Sequence, residues 1–249
     1  MEDKWEYPSQ SNDIAIVALV DKSGSMSGTT SDTIGGFNNF KKDQAKLPGR
    51  AYMSVSLFAS SSHVLYPSNL IQNIPDLSTE TYRADGSSTA LYDAVAHTIQ
   101  EVSKSKNLPK RVVFLVITDG QENSSRKFTT PESVRALIEE KTSQGWDFIY
   151  LGADASAWSA SRSLGFTSSG VYDQDFAGIN MAYSNLSASV GAMRSSGLSS
   201  NSYNFNTSST VVPPLITPNS NTTPTGVTGK TTDIYVNTTF TDSDNNPII

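Results

Sequence analysis

The sequence predicts a three-layer α/β fold, with a mostly parallel central sheet and helices on both faces. Three observations carry that expectation. Up to about residue 197, short apolar runs alternate with amphipathic segments, as strand–helix units do. Two of the runs, residues 14–20 and 112–117, are apolar throughout, the pattern of strands buried on both sides. Each run leads into an aspartate, Asp21 after the first and Asp119 after the second. In open α/β sheets, ligands bind at such carboxyl ends of strands, near the point where the strand order reverses.

The elements follow in order. Residues 14–20 are the first strand, and residues 30–46 a helix with Ile34, Phe37 and Phe40 inward, ended by Pro48-Gly49. Residues 52–58 alternate with period two, and after the Ser60–Ser62 turn residues 63–66 return as a hairpin, so the sheet is mixed there. Leu91, Ala94, Val95, Thr98, Ile99 and Val102 recur at helical spacing over residues 91–104, and Pro109 ends that segment before the strand at 112–117. Thr130, Pro131 and Glu132 supply an N-cap, a first-turn proline and an early acid. The helix they open buries Val134, Leu137 and Ile138 and stops at Gly145. Residues 146–151 read as a strand and residues 155–164 as a short helix. Phe176, Ile179, Tyr183, Leu186, Val190 and Met193 then step by three and four along a last amphipathic helix.

Composition narrows the function classes. The 249 residues carry a net charge of −6, which disfavours nucleic acid and anionic membrane surfaces as partners. Cysteine is absent, so disulfides, thiolate nucleophiles and sulfur-ligated zinc are excluded. The charged N-terminus has no apolar core of a secretory signal, and the apolar runs fall far short of the ~20 residues of a membrane helix. The expectation is a chain without membrane insertion, cytoplasmic or, if phage-encoded, in a virion.

Three loops carry the chemistry. The first is Asp21-Lys-Ser23-Gly-Ser25, the second Asp85-Gly-Ser-Ser-Thr89, and the third Thr118-Asp119-Gly120. Alone, the pentapeptide 21–25 favours a Ser/Gly-rich turn capping a helix, and the other two loops reverse that preference. Together they offer two carboxylates and several hydroxyls, an oxygen-only donor set suited to Mg2+ or Mn2+. Two protein charges leave such an ion able to accept an external carboxylate.

This pattern resembles the von Willebrand factor A (vWA) domain and its metal-ion-dependent adhesion site. The shared features are Asp-x-Ser-x-Ser, a threonine in a small-residue loop, and an aspartate in a Thr-Asp-Gly turn, in that order, over residues 13–165; Asp93-Ala94 after Thr89 also fits. The resemblance implies metal ligation by the hydroxyls of Ser23, Ser25 and Thr89, with Asp21 and Asp119 acting directly or through water. Ser87-Ser88 departs from the glycines usual before that threonine. Later segments, Gly152-Ala-Asp154 and the last helix, are similar more loosely to short stand-alone A-domain proteins of bacteria and phages.

Other candidates fare worse. The histidines, His63 and His97, lie on a hairpin and a helix with no Gly-x-Ser-x-Gly elbow, which argues against a nucleophilic triad. No Gly-x-x-x-x-Gly-Lys-Ser/Thr loop is present for nucleotide phosphates. A Mg-dependent phosphohydrolase with Asp21 as nucleophile is the remote enzymatic rival, and Ser23 stands where its second acid belongs. Asp242, Asp244 and Asn246 read as a turn rather than a calcium loop, and Asn123, Asn185, Asn206, Asn221 and Asn237 as chance N-x-Ser/Thr triplets. Lys22, Lys41 and Lys42 read as solvated charges, with Lys22 placed to tune ligand approach.

Residues 195–229 contain no charge, and five of the eleven prolines, Pro213, Pro214, Pro218, Pro224 and Pro247, lie beyond residue 212. The organisation expected is an arm at 1–11, the domain at 12–197, a Ser/Thr/Asn/Pro-rich linker at 198–229 and a tail with a strand at 230–249. That strand, 233–240, is expected to add to a sheet edge of its own or a neighbouring chain. The function expected is non-catalytic, metal-dependent binding of a protein partner through an acidic side chain, with the tail anchoring the domain in a homo- or hetero-oligomeric assembly. The alternative is a structural component of a phage virion or other assembly with a vestigial metal site.

Overall fold

The computed structural model describes residues 7, 13–119, 122–152, 155–166, 168–171, 176–196 and 205–206. The chain divides into two compact units, Met1–Pro214 and Leu215–Ile249, and every described residue belongs to the first. The expected strand at 233–240, the turn at 242–246 and Asp154 lie outside the described residues.

The strands are β1 (Ile14–Asp21), β2 (Ala51–Phe58), β3 (Ser62–Leu70), β4 (Arg111–Thr118), β5 (Trp146–Gly152), β6 (Ser168–Val171) and β7 (Phe205–Asn206). The helices are α1 (Thr30–Lys46), α2 (Leu91–Ser103), α3 (Pro131–Ser143), α4 (Ala155–Leu164) and α5 (Phe176–Ser196). The strands form one sheet in the order β3-β2-β1-β4-β5-β6-β7. Only β2 and β3 pair antiparallel; the other neighbours are parallel.

The pleat of β1 shows why its run is apolar without a break. Ile14, Ile16, Ala18 and Val20 enter one core with Phe37 and Phe40 of α1 and Ile179, Leu186 and Val190 of α5. Ala15, Val17 and Leu19 enter the other, with Val95 and Ile99 of α2, Val134 and Ile138 of α3 and Leu164 of α4. Each residue of β1 therefore has a helix layer above or below it, and none needs to be polar until the strand ends.

Polar groups fix how α1 and α5 meet. Gln44 is fully buried, and its Nε2 donates to the Ser187 carbonyl at 2.9 Å. Arg194 donates to the carbonyls of Gln44 and Gly49, closing off the carboxyl end of α1. Tyr7 is buried edge-on to Tyr52 with ring centroids 6.0 Å apart.

Several sequence expectations need revision. The strand expected at 52–58 is β2, and all eight of its residues are buried, Ser54 and Ser56 included. The half-exposed strand of the hairpin is β3, at the edge of the sheet. Thr130 occupies the N-cap position of α3 but makes no side-chain capping bond; its carbonyl instead accepts from Ser133 Oγ at 2.7 Å. Lys41 is buried rather than solvated, with Nζ 2.7 Å from Asp76 and 2.5 Å from the Ile74 carbonyl oxygen. Strands β6 and β7, of four and two residues, escape detection because serine, glycine and short length leave no pattern to read.

Candidate functional site

Sheet register assembles the site. Strand β1 pairs with β2 on one side and β4 on the other, and the chain runs outward from β1 in both directions, so the switch point lies between β1 and β4. Val20 is opposite Ile117, which sets Asp21 beside Thr118 and Asp119 one residue beyond.

From there a chain of hydrogen bonds climbs from the interior to the surface. Asp21 is fully buried; its Oδ2 accepts from Thr118 Oγ1 at 2.5 Å and its Oδ1 from the Ser23 amide at 2.7 Å. Ser23 Oγ lies 3.0 Å from Ser25 Oγ, and exposed Ser25 donates to Asp119 Oδ1 at 2.7 Å. Tyr82, also buried, donates its hydroxyl to the Asp21 carbonyl at 2.7 Å and fixes the floor. Burial pushes the Asp21 carboxyl above its usual range, and the nearby charge of Asp119 adds to this, against the opposing bonds from Thr118 and Ser23. A carboxylate held above its usual range costs stability at neutral pH, a cost that a bound cation would offset.

The second loop is laced to the first through backbone. Ser23 and Gly86 form an isolated parallel bridge, with Gly24 N donating to Gly86 O at 2.7 Å and Gly86 N to Lys22 O at 3.0 Å. Only glycine fits there, because a Cβ on Gly86 would lie 2.3 Å from the Ala59 Cβ. Thr89 is buried and held by a reciprocal pair: its amide donates to Asn123 Oδ1 at 2.8 Å, and Asn123 N donates to its carbonyl at 3.0 Å. The structure thus joins Asp21, Ser23, Ser25 and Asp119 side chain to side chain or through the Ser23 amide, whereas Thr89 is placed by its backbone.

Three residues that the sequence reading passed over organise the third loop. Asn123, read as part of a chance triplet, positions Thr89. Glu122 accepts from the Tyr92, Ser124 and Ser125 amides at 2.9, 2.8 and 2.7 Å, and Ser125 Oγ accepts from the Asp93 amide at 3.0 Å. Residues after β4 therefore satisfy amides in the first turn of α2 that have no partner inside the helix. Asp93 returns the interaction, accepting from the Arg126, Lys127 and Phe128 amides at 2.8, 3.0 and 2.7 Å. No local pattern reveals this exchange, which spans 30 residues or more.

Burial acts to raise the Asp93 carboxyl, but the three amide bonds outweigh it and hold it below the usual carboxylate range. Its stabilisation is then complete above the unfolded value of about 3.9 and is lost as pH falls through the lower folded value. Asp93→Asn is expected to lower stability by about 1 kcal/mol at neutral pH, allowing for partial exposure. Thermal melts from pH 7 to pH 2 check this, since the gap between wild type and variant should close only below about pH 4.

The donor set is made of hydroxyls and two acids. Among the described residues no group of three or more histidine, aspartate or glutamate side chains is placed to hold a metal. His63 and His97 do come together, lining a cavity of about 260 Å³ with Glu101, Ser56 and Ser62 between β3 and α2. Among the described residues no helix is long and apolar enough to cross a membrane.

Comparison with known proteins supports the fold. Residues 15–194 match the family model of the von Willebrand factor type A domain. The pilus adhesin SpaC from Lactobacillus rhamnosus GG is similar in structure, with a TM-score of 0.56 and 13% identity, over 75% of this chain and 31% of that one. Proximal thread matrix protein 1 from the mussel byssus gives a TM-score of 0.50 and 16% identity, over 71% of this chain and 46% of that one. This chain thus corresponds to less than half of either protein. No curated protein matches the sequence. The domains of the matching family are typically non-catalytic modules of protein–protein interaction. The chain belongs to the von Willebrand factor type A domain family.

Proposed function

We propose that the chain is a non-catalytic binding module that holds a divalent cation, Mg2+ or Mn2+, and through it an acidic side chain of a protein partner. The observation that carries this reading is the continuous polar chain from buried Asp21 through Ser23 and Ser25 to Asp119 at the switch point. Hard oxygen donors in a row suit a small hard cation. Ser23, Ser25 and Thr89 would hold it through hydroxyls, Asp119 directly or through water. Asp21, both of whose oxygens already accept hydrogen bonds, would contribute mainly its charge. The bound ion supplies an electrophilic position for an external carboxylate. The donors include neither a histidine nor an acid two residues beyond Asp21, so they favour holding a partner over catalysing a reaction on it.

Residues 198–249 would anchor the domain in an assembly. The uncharged, proline-studded composition of 195–229 and the strand-like 233–240 support this reading. Retention of the chain on an immobilised Gly-Asp-Gly peptide tests the binding function. It is expected in Mg2+, lost in EDTA and restored by Mg2+ in excess; retention indifferent to EDTA overturns the reading. Deletion of 198–249 is expected to abolish assembly while leaving Mg2+-dependent retention intact. A deletion that leaves assembly unchanged removes the anchoring role.

A further inference from the structure

Lys22 lies in the first loop between Asp21 and Ser23, and its backbone is fixed on both sides. Its amide donates to the Phe58 carbonyl at 2.7 Å and its carbonyl accepts from Gly86 N at 3.0 Å. The side chain therefore rises from a fixed point at the rim of the site. Its Nζ lies 2.6 Å from Asp85 Oδ1, a partner 63 residues away in the second loop.

The pair has three physical properties. The Lys22 and Asp85 side chains are 25% and 62% exposed, so the pair can open in water without stranding a buried charge. Exposed ion pairs contribute little to stability, so a carboxylate from outside could replace Asp85 with small loss. Asp85, whose carboxyl Lys22 holds below the usual range, is 62% exposed and stays hydrated when Lys22 leaves. While paired, Asp85 neutralises an ammonium that would otherwise repel a cation entering beside it.

We propose that Lys22 is a second anchor of the binding surface, exchanging Asp85 for a second acid on the partner. This rests on the metal-dependent reading above. The partner is then a protein segment with two acidic side chains, one for the cation and one for Lys22. Its recognition is two-pointed, and an isolated acid is held less firmly.

The test uses the full chain in Mg2+ and two kinds of capped peptide, Gly-Asp-Gly-Gly-Gly-Gly and a series in which a second aspartate replaces each later glycine in turn. Wild type is expected to bind the best two-acid peptide about 2–5-fold more tightly than the one-acid peptide. Lys22→Met should bring that ratio close to one, Lys22→Arg should restore it, and Asp85→Asn, which frees the ammonium, should raise it. A ratio that Lys22→Met leaves intact overturns the second anchor, as does a wild-type ratio near one across the series. If the one-acid peptide binds wild type equally with and without Mg2+, the metal-dependent reading itself is what fails.

Discussion

Asp21→Ala is expected to abolish the response of the domain to Mg2+. A ligand that binds only the folded state at a hundred times its Kd stabilises it by about 2.7 kcal/mol, which for a domain of this size raises Tm by about 5–10 °C. Wild type should show that rise. Loss of an outer partner of a metal site commonly weakens affinity 10–100-fold, so removal of Asp21 or Asp119 should weaken it by about 100-fold or more and erase the shift. The two alanine variants should differ without metal. Asp21 is buried, and its removal leaves the Ser23 amide and Thr118 hydroxyl without their acceptor, a loss of about 1–3 kcal/mol that relief of the desolvated charge partly offsets. Asp119 is half-buried and bonds to an exposed serine, so its variant should keep its metal-free Tm within the few tenths of a kcal/mol typical of surface changes. Thermal melts with and without Mg2+ separate these effects. A full Mg2+ shift in both variants would show that the ion binds elsewhere.

Gly36→Ala is expected to destabilise the packing of α1 on α5. A Cβ there would stand 2.1, 2.5 and 2.7 Å from the Cδ2, Cε2 and Cγ atoms of Tyr183. Tyr183 is 4% exposed on α5, so its ring must shift into the cavity of about 270 Å³ that Gly36, Phe40, Asn180 and Tyr183 line, or α1 must move away from α5. Overpacking of this kind costs about 1–3 kcal/mol or more, against a gain near 1 kcal/mol in helix propensity. The net loss should be about 1–2 kcal/mol, or about 2–8 °C in Tm. Gly35 is the internal control: a Cβ there meets nothing within 4 Å, so Gly35→Ala should stabilise by up to about 1 kcal/mol. In a Tyr183→Ala background, itself destabilised by loss of a buried ring, Gly36→Ala should cost little further, because the atoms it strikes are gone. Equal stability of the two single variants would refute this account of α1–α5 packing.

Most of the architecture was legible locally. β1 and β4 carry unbroken apolar runs because both faces are covered, and α1 and α5 carry inner stripes because they cover one of those faces. What was misread depended on neighbours. Lys41 is of a type usually found at the surface, yet its buried ammonium is paired with Asp76 and the Ile74 carbonyl. Ser54 and Ser56 interrupt the apolar pattern of β2, yet a core covers each of its faces, Met53, Val55 and Leu57 entering one and Tyr52 and Phe58 the other. Within the site, Asp21, Ser23, Ser25 and Asp119 could be named in advance because their chemistry is unusual at strand ends. Asn123, Glu122 and Asp93 could not be assigned roles, since each acts on a backbone amide about 30 residues distant.

The opening loop shows where the division falls. The sequence by itself determined that a carboxylate and two hydroxyls follow a buried strand, and that a second carboxylate follows another. Only the tertiary structure decided that they touch, because the parallel register of β1 and β4 sets Asp21 against Thr118 and brings Asp119 to Ser25. It also decided that Lys22 meets Asp85, since the Ser23–Gly86 bridge draws the second loop alongside the first. The physical reason is one of range. Burial periodicity and turn chemistry act over a few residues and are written in the chain locally, whereas hydrogen-bond and charge partners are selected by the packing of distant segments.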